Sequence, residues 1–179
     1  MIPFEISEPQ RAFIERRFAD NPRVAPCRTN IFDCKDWNSF DCIFSANVLE
    51  HIEDDQVVLG HCAALLKPGA WCVALVPAHR WLYSAFDKQI GHFRRYNASD
   101  LLRLGCIDAH GASLQLRDSR HVNIPGALGW FLSMRLLGRT SIGRNDAATV
   151  GRLLPLIRAF DRLRLPIGLS QVLAWQRRV

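Results

Sequence analysis

A chain of 179 residues is long enough for one domain with a sizeable core. Its 49% hydrophobic and 22% charged content is that of an ordinary globular protein. No apolar run approaches the roughly 18–20 residues of a membrane span, and no basic segment leads into an apolar stretch at the N-terminus as in a secretory leader.

The formal charge of +6 is unevenly placed: residues 1–93 hold nine Lys/Arg against twelve Asp/Glu, and residues 94–179 hold fourteen Arg against five Asp. An arginine-only basic half suits phosphate or an anionic surface. No zinc finger, helix-turn-helix or aromatic-basic RNA motif accompanies it, so nucleic acid is not an expected partner. The six cysteines, Cys27, Cys34, Cys42, Cys62, Cys72 and Cys106, form no Cys-x-x-Cys pair. They read as small buried thiols in a reducing, cytoplasmic setting.

In chain order, Ile2–Ile6 is a short apolar run that ends near Glu5. Ser7 with Gln10 three residues on, and Pro9 in the first turn, predict a helix from Glu8 to Ala19 with Phe13, Ile14 and Phe18 inward. Asn21-Pro22 ends it, and residues 23–32 read as a strand made irregular by Pro26. Phe40–Ala46 is a continuous apolar strand expected to be covered on both faces. A helix from Asp54 to Leu66 follows, with Val57, Val58, Cys62, Leu65 and Leu66 on one face. Ala70–Val76 is the next buried strand, ended by Pro77.

An irregular aromatic and basic segment leads to a short helix opened by Asn97. Then come a strand over 112–117 that continues towards Val122, helices over 124–138 and 148–164, and a last strand over 168–176. Strands alternating with helices give an α/β, Rossmann-like doubly wound fold with a mainly parallel sheet, whose ligands bind beyond the carboxyl ends of the strands. The expected organisation is a single domain: a core over 1–121, a helical insertion over 122–167 and a final strand over 168–179.

Several polar residues stand at those strand ends. Glu5 is placed to accept from two ribose hydroxyls, or is a solvated acid near a terminus. Asp33 can accept from an adenine amino group with the Cys34 N–H beside it, or cap a turn. Asn47 offers an amide donor and acceptor. Glu50 and His51 form an acid/base pair or open the next helix. His92 is the acid/base candidate of the segment after Pro77, which also carries Tyr83, Arg95 and Tyr96 as groups for an anionic or hydroxylated acceptor. No metal-ligand spacing is visible: Asp87 and His92 are five residues apart and the other histidines are scattered.

Phe40–Ile52, with Asn47-Val48-Leu49-Glu50-His51 at its end, followed by Leu66-Lys67-Pro68-Gly69, resembles the central motif of class I S-adenosylmethionine-dependent methyltransferases of the type 11/12 kind. Phe4-Glu5-Ile6-Ser7 and Asp33-Cys34 resemble the ends of that family's second and third strands, and 77–96 resembles one of its subgroups. The resemblance implies S-adenosylmethionine as cofactor, held by Glu5, Asp33, Cys34 and Asn47. It implies His51 and His92 at the methyl-transfer site, Tyr83, Arg95 and Tyr96 towards the substrate, and a small-molecule, glycan-linked or lipid-linked acceptor.

It begins at the family's second strand, and no Gly-x-Gly-x-Gly loop occurs. The expectation is an N-terminally truncated domain with exposed strand edges prone to self-association. Two other readings stand beside the enzyme: a non-catalytic, partner-binding remnant, and an NAD-dependent oxidoreductase. Residues 148–164 also place Leu153, Leu154, Leu156, Ile157, Phe160 and Leu163 among arginines, a mixture suited to weak contact with an anionic membrane or to packing on the sheet.

Overall fold

The computed structural model describes residues 1–141, 151, 154, 155 and 157–179. The chain divides into two compact units, Met1–Trp37 and Asn38–Val179.

In the first unit, Pro9 opens helix α1, Glu8–Phe18. None of its residues is buried, and Phe13, expected inward, is 59% exposed. The strand expected over 23–32 is reduced to a single parallel bridge, Phe4 to Arg28. Pro26 has no N–H to offer a ladder, so the pairing is confined to Ala25 N–H on the Met1 carbonyl, Arg28 N–H on Pro3 and Glu5 N–H on Arg28. Asn30 then caps a short 3-10 turn, Ile31–Asp33, its side chain accepting from Phe32 N–H.

The second unit is built on a five-stranded sheet in the order β1-β2-β5-β4-β3, with β1 Phe40–Ala46, β2 Leu66–Pro77, β3 Cys106–Ala109, β4 Ala112–Val122 and β5 Ser170–Arg177. β1 and β2 pair in parallel, in register from Cys42 with Trp71 to Ala46 with Leu75. The other three pairings are antiparallel. The mainly parallel character expected of the sheet therefore survives in direction, since β1, β2 and β4 run the same way, but not in neighbour pairing.

β1 is an edge strand rather than one covered on both faces: Phe44 is 67% exposed and Cys42 lies on the surface. Cys106 is exposed as well, whereas Cys34, Cys62 and Cys72 are buried thiols. The β3–β4 hairpin, which the apolar pattern does not announce, turns on His110 and Gly111. Both have positive φ (54° and 72°), the conformation a two-residue hairpin of matching twist needs.

Helix α2, Asp55–Leu65, is capped by Asp54, whose Oδ1 accepts from Val57 N–H at 3.2 Å. It packs on β2, β3 and β4, and almost every residue after Val57 is buried; Val57 itself is 53% exposed. Gly60 permits the close approach, because a Cβ there would stand 2.5 Å from that of Ala109. Short helices α3, Ala85–Gln89, and α4, Ala98–Arg103, flank the segment after β2. Helix α5, Ile124–Trp130, runs on into a π-helical stretch, Phe131–Leu136.

Of the expected helix over 148–164, residues 148–150, 152, 153 and 156 lie outside the described residues. Ile157 is buried, while Leu154, Phe160 and Leu163 are exposed. Among the described residues no helix is long and apolar enough to cross a membrane.

The core gathers Leu59, Leu65, Leu66, Ala74, Val76, Leu104, Leu114, Leu173 and Trp175. Trp175, fully buried on β5, donates its indole N–H to the Leu104 carbonyl at 2.7 Å and so ties the end of α4 to the sheet. Trp175→Phe should lose about 1–3 kcal/mol, the cost of leaving that carbonyl without its donor. Trp175→Ala should lose about 3–5 kcal/mol. Urea unfolding at neutral pH reads both, and equal stability of the phenylalanine variant would show that the indole bond contributes nothing.

Candidate functional site

The candidate residues fall into both units. Glu5, Asp33 and Cys34 belong to the first; Asn47, His51, Tyr83, His92, Arg95 and Tyr96 belong to the second.

Glu5 follows the Phe4 bridge and is half-buried. Its Oε1 accepts from Ser7 N–H at 2.8 Å, and among the described residues no donor is paired with Oε2. Asp33 is exposed at the end of its 3-10 turn. The Cys34 N–H closes that turn on the Ile31 carbonyl at 3.1 Å, so it is committed to the backbone rather than offered to an adenine ring.

In the second unit the carboxyl end of β1 passes into Asn47, which is exposed and left-handed (φ 52°), its N–H donating to the Leu75 carbonyl of β2. That turn feeds a second 3-10 turn, Leu49–His51, in which Leu49 and Glu50 are buried and His51 is exposed. The Phe93 N–H donates to the Glu50 carbonyl, drawing the segment after β2 alongside.

That segment is organised by Asp87, itself buried on α3. Its Oδ2 accepts from the Ser84 N–H and hydroxyl, each at 2.9 Å. Its Oδ1 meets His92 Nδ1 at 2.9 Å and the Arg95 guanidinium at 2.8 Å. Burial alone would raise the Asp87 carboxyl; the bonds from His92, Arg95 and Ser84 outweigh it and hold the group below its ordinary value. Arg95 is 2% exposed and its guanidinium lies 4.5 Å from the centre of the Trp130 ring.

A second buried carboxylate, Asp55, receives Arg103 on both oxygens, Arg94 at 3.0 Å and the Tyr96 hydroxyl at 3.1 Å. Burial opposes its ionisation, but these partners prevail and hold it below the usual carboxylate range.

Two of the residues expected to face an acceptor are therefore framework. Tyr96 is fully buried on Asp55, and Arg95 is buried on Asp87. Tyr83 is half-buried and donates its hydroxyl to the His92 carbonyl at 2.7 Å. It also lines an open groove of about 490 Å³, together with Arg80, Phe93, Arg94 and Arg103.

The fold also brings His51 and His92 together, 41 residues apart in sequence, with ring centres 4.6 Å apart. Glu50 joins them as a fully buried carboxylate. Among the described residues neither Glu50 oxygen has a hydrogen-bond partner, and His92 Nε2, 3.8 Å from Oε1, is beyond reach of one. Burial pushes the Glu50 carboxyl up, with His92 and Arg95 opposing. Burial, and then the neighbouring His92, lower His51.

No sequence pattern marks the network around Asp87, whose partners lie three to eight residues away in an irregular segment. Nor did it mark the stacked pair His79 and His121, 4.7 Å apart, which joins the end of β2 to the end of β4.

Comparison with known proteins fixes the fold. Residues 4–72 match the methyltransferase-domain family. No curated protein matches the chain. Among solved structures, a provisionally assigned sarcosine dimethylglycine methyltransferase from Galdieria sulphuraria superposes with a TM-score of 0.56 at 14% identity, covering 98% of this chain and 68% of its own. The [4+2]-cyclase SpnF gives 0.56 at 15%, covering 99% and 66%. The N-methyltransferase NodS from Bradyrhizobium japonicum, solved with S-adenosylhomocysteine, gives 0.53 at 14%, covering 99% and 65%. The chain thus spans about two thirds of the length of these proteins, and at such identities they share its fold alone.

The Asp55 cluster makes a prediction about pH. Asp55→Asn should lose about 3 kcal/mol or less at pH 7, below the full cost of a broken buried pair because Arg103 is partly exposed. A depressed folded-state pKa contributes stability above the unfolded value of about 3.9, and that contribution is lost as pH falls through the lower folded value. The gap between wild type and variant should therefore close on acidification. Denaturant unfolding at pH 7 and in the acid range measures it, and a gap independent of pH would contradict the assignment.

Proposed function

We propose that this chain is an S-adenosylmethionine-dependent methyltransferase acting on a small-molecule, glycan-linked or lipid-linked acceptor, since residues 4–72 match the methyltransferase-domain family and solved methyltransferases share its fold. One observation carries the reading: the matched segment contains Glu5, Asp33 and Asn47 in the order in which polar groups stand at the ends of that family's strands.

Taken one at a time, the residues of each unit suit parts of the cofactor. Glu5, with Oε2 unpaired among the described residues, is suited to the ribose hydroxyls. Exposed Asp33 is suited to the adenine amino group, by its carboxylate and without help from the committed Cys34 N–H. Asn47, held left-handed past β1, offers its amide to the amino and carboxylate groups of the methionine end. The glycine cradle is not matched, because the sequence contains no Gly-x-Gly-x-Gly run.

When bound, S-adenosylmethionine supplies a methyl group already activated on sulfonium, so the protein's work is alignment and exclusion of competing reactions. His51 and His92, brought together by the fold, are read as the groups that take an acceptor's proton. The Gly91 carbonyl and the Asp87 carboxylate only accept, so each ring donates from Nδ1 and leaves Nε2 without a hydrogen-bond partner among the described residues. Tyr83 and the arginines of the adjoining groove suit an anionic or hydroxylated acceptor.

A second reading is a methyltransferase-derived module that binds a partner without catalysis, for which the edge strand β1 with exposed Phe44 offers a pairing surface.

Calorimetry separates the readings. S-adenosylmethionine should bind and NAD should not, with Glu5→Ala and Asn47→Ala each weakening the binding about tenfold or more. Binding of neither ligand would leave the partner-binding module standing, and tighter binding of NAD would move the chain to the oxidoreductases.

A further inference from the structure

We propose that Glu50, His51 and His92 form a binding site for one divalent transition-metal ion of the zinc, cobalt or manganese kind. One ligand atom from each residue lies within 4.8 Å of the other two, and this is the group of metal-ligating side chains among the described residues. Two imidazoles and a carboxylate are a donor set for such ions, leaving positions open for water or a substrate oxygen.

Three features of the cluster suit a cation better than an empty packing site. Glu50 is fully buried, yet neither carboxylate oxygen has a hydrogen-bond partner. A buried carboxylate in that state is costly unless a positive charge meets it. Arg95 and His92 favour its charge only from a distance, the Arg95 guanidinium being bonded to Asp87.

Both histidines are also oriented as ligands. His51 directs Nδ1 to the Gly91 carbonyl at 3.2 Å, and His92 directs Nδ1 to Asp87 Oδ1 at 2.9 Å. Both Nε2 lone pairs are thereby left for an ion, in the carbonyl–histidine and carboxylate–histidine arrangements that orient metal-bound imidazoles. The approach side is open, because His51 is exposed while Glu50 and His92 lie deeper. An ion with bonds of about 2.0–2.2 Å draws the three atoms together from their present spacing, with His92 Nε2 and Glu50 Oε1 at 3.8 Å.

With a cation in place, the Nε2 atoms act as ligands and no longer as bases. A water or acceptor hydroxyl held on the ion would be made more acidic, its proton leaving to solvent. The site itself rests on the side-chain geometry and needs no methyl transfer, so its test is made without S-adenosylmethionine.

The test uses the purified chain, stripped with EDTA, desalted and titrated with Co2+ while visible absorption is followed. One Co2+ per chain should bind with ligand-field bands of a low-coordinate site, and Zn2+ should displace it. Glu50→Gln and His92→Gln should each weaken Co2+ binding at least tenfold, within the range seen when a ligand's environment is disturbed. His110→Gln, outside the cluster, should bind as wild type. Thermal unfolding provides a second readout. Zn2+ should raise the wild-type midpoint and leave that of Glu50→Gln unmoved. In EDTA the Glu50→Gln variant should unfold at or above the wild-type temperature, since it removes an unpaired buried charge while keeping its shape. No cobalt spectrum, equal binding by the variants, or a Glu50→Gln variant less stable than wild type in EDTA would each overturn the site.

Discussion

The arrangement beyond β2 depends on one buried ion pair, Asp87 with Arg95. Both side chains are almost wholly removed from water, and such a pair is tolerable only when the remaining donors and acceptors are also satisfied. Here they are: Asp87 takes Ser84 and His92 in addition, and Arg95 spreads over the Trp130 ring and reaches the Ala78 carbonyl. The indole N–H of Trp130 in turn donates to the Leu82 carbonyl. Sequence spacing of eight residues between the pair thus becomes a closed knot that fixes α3, the end of α5 and the His92 ring together. The segment is framework, and its histidine is placed by it.

A second carboxylate anchors the other flank. Asp55, in the first turn of α2, holds Arg94, Tyr96 and Arg103, so the strand-like stretch after His92 is pinned between α2 and α4. Successive residues 94, 95 and 96 alternate between the two anchors, Arg94 and Tyr96 to Asp55 and Arg95 to Asp87. That alternation is the period of extended chain, in which neighbouring side chains point to opposite sides. Tyr96 confirms the extended state by bridging in parallel to Ala78 at the end of β2. Between the anchors, Glu50 is, among the buried carboxylates of the described residues, the one without hydrogen-bonded partners.

How much of this could be read from the residues differs by element. The apolar runs at Phe40–Ala46 and Ala70–Val76 and the capped helix after Asp54 are found in the structure, because continuous hydrophobic patterning and local caps are written in neighbouring residues. β3 was missed: four residues, Cys106–Ala109, carry too little pattern, and only His110-Gly111 marks the turn. The antiparallel pairing of β5 is likewise invisible in composition, since strand direction follows from the path of the chain. Within the candidate site, Glu50, His51 and His92 could be named from the sequence but not joined. Arg95 and Tyr96 were misread as acceptor-facing groups, because a guanidinium and a phenol are normally exposed or amphipathic. Their burial is decided by Asp87 and Asp55, the latter 41 residues from Tyr96.

The fold by itself leaves the reaction open. A cyclase and an N-methyltransferase superpose on this chain about equally well, so a common sheet carries different chemistry and the side chains at its strand ends must decide. In this chain those ends are unusually differentiated. The exit of β1 bears an amide on a left-handed residue and then a buried carboxylate beside two imidazoles of fixed tautomer, whereas the exit of β2 bears a fully paired ionic framework. A paired network resists change in charge, because every proton or ion added breaks an existing bond. An unpaired carboxylate beside two basic nitrogens has the opposite property: it gains by accepting a positive charge. Chemistry that moves a proton or gathers a cation is therefore favoured at the β1 exit, and the neighbouring framework serves to hold that exit in shape.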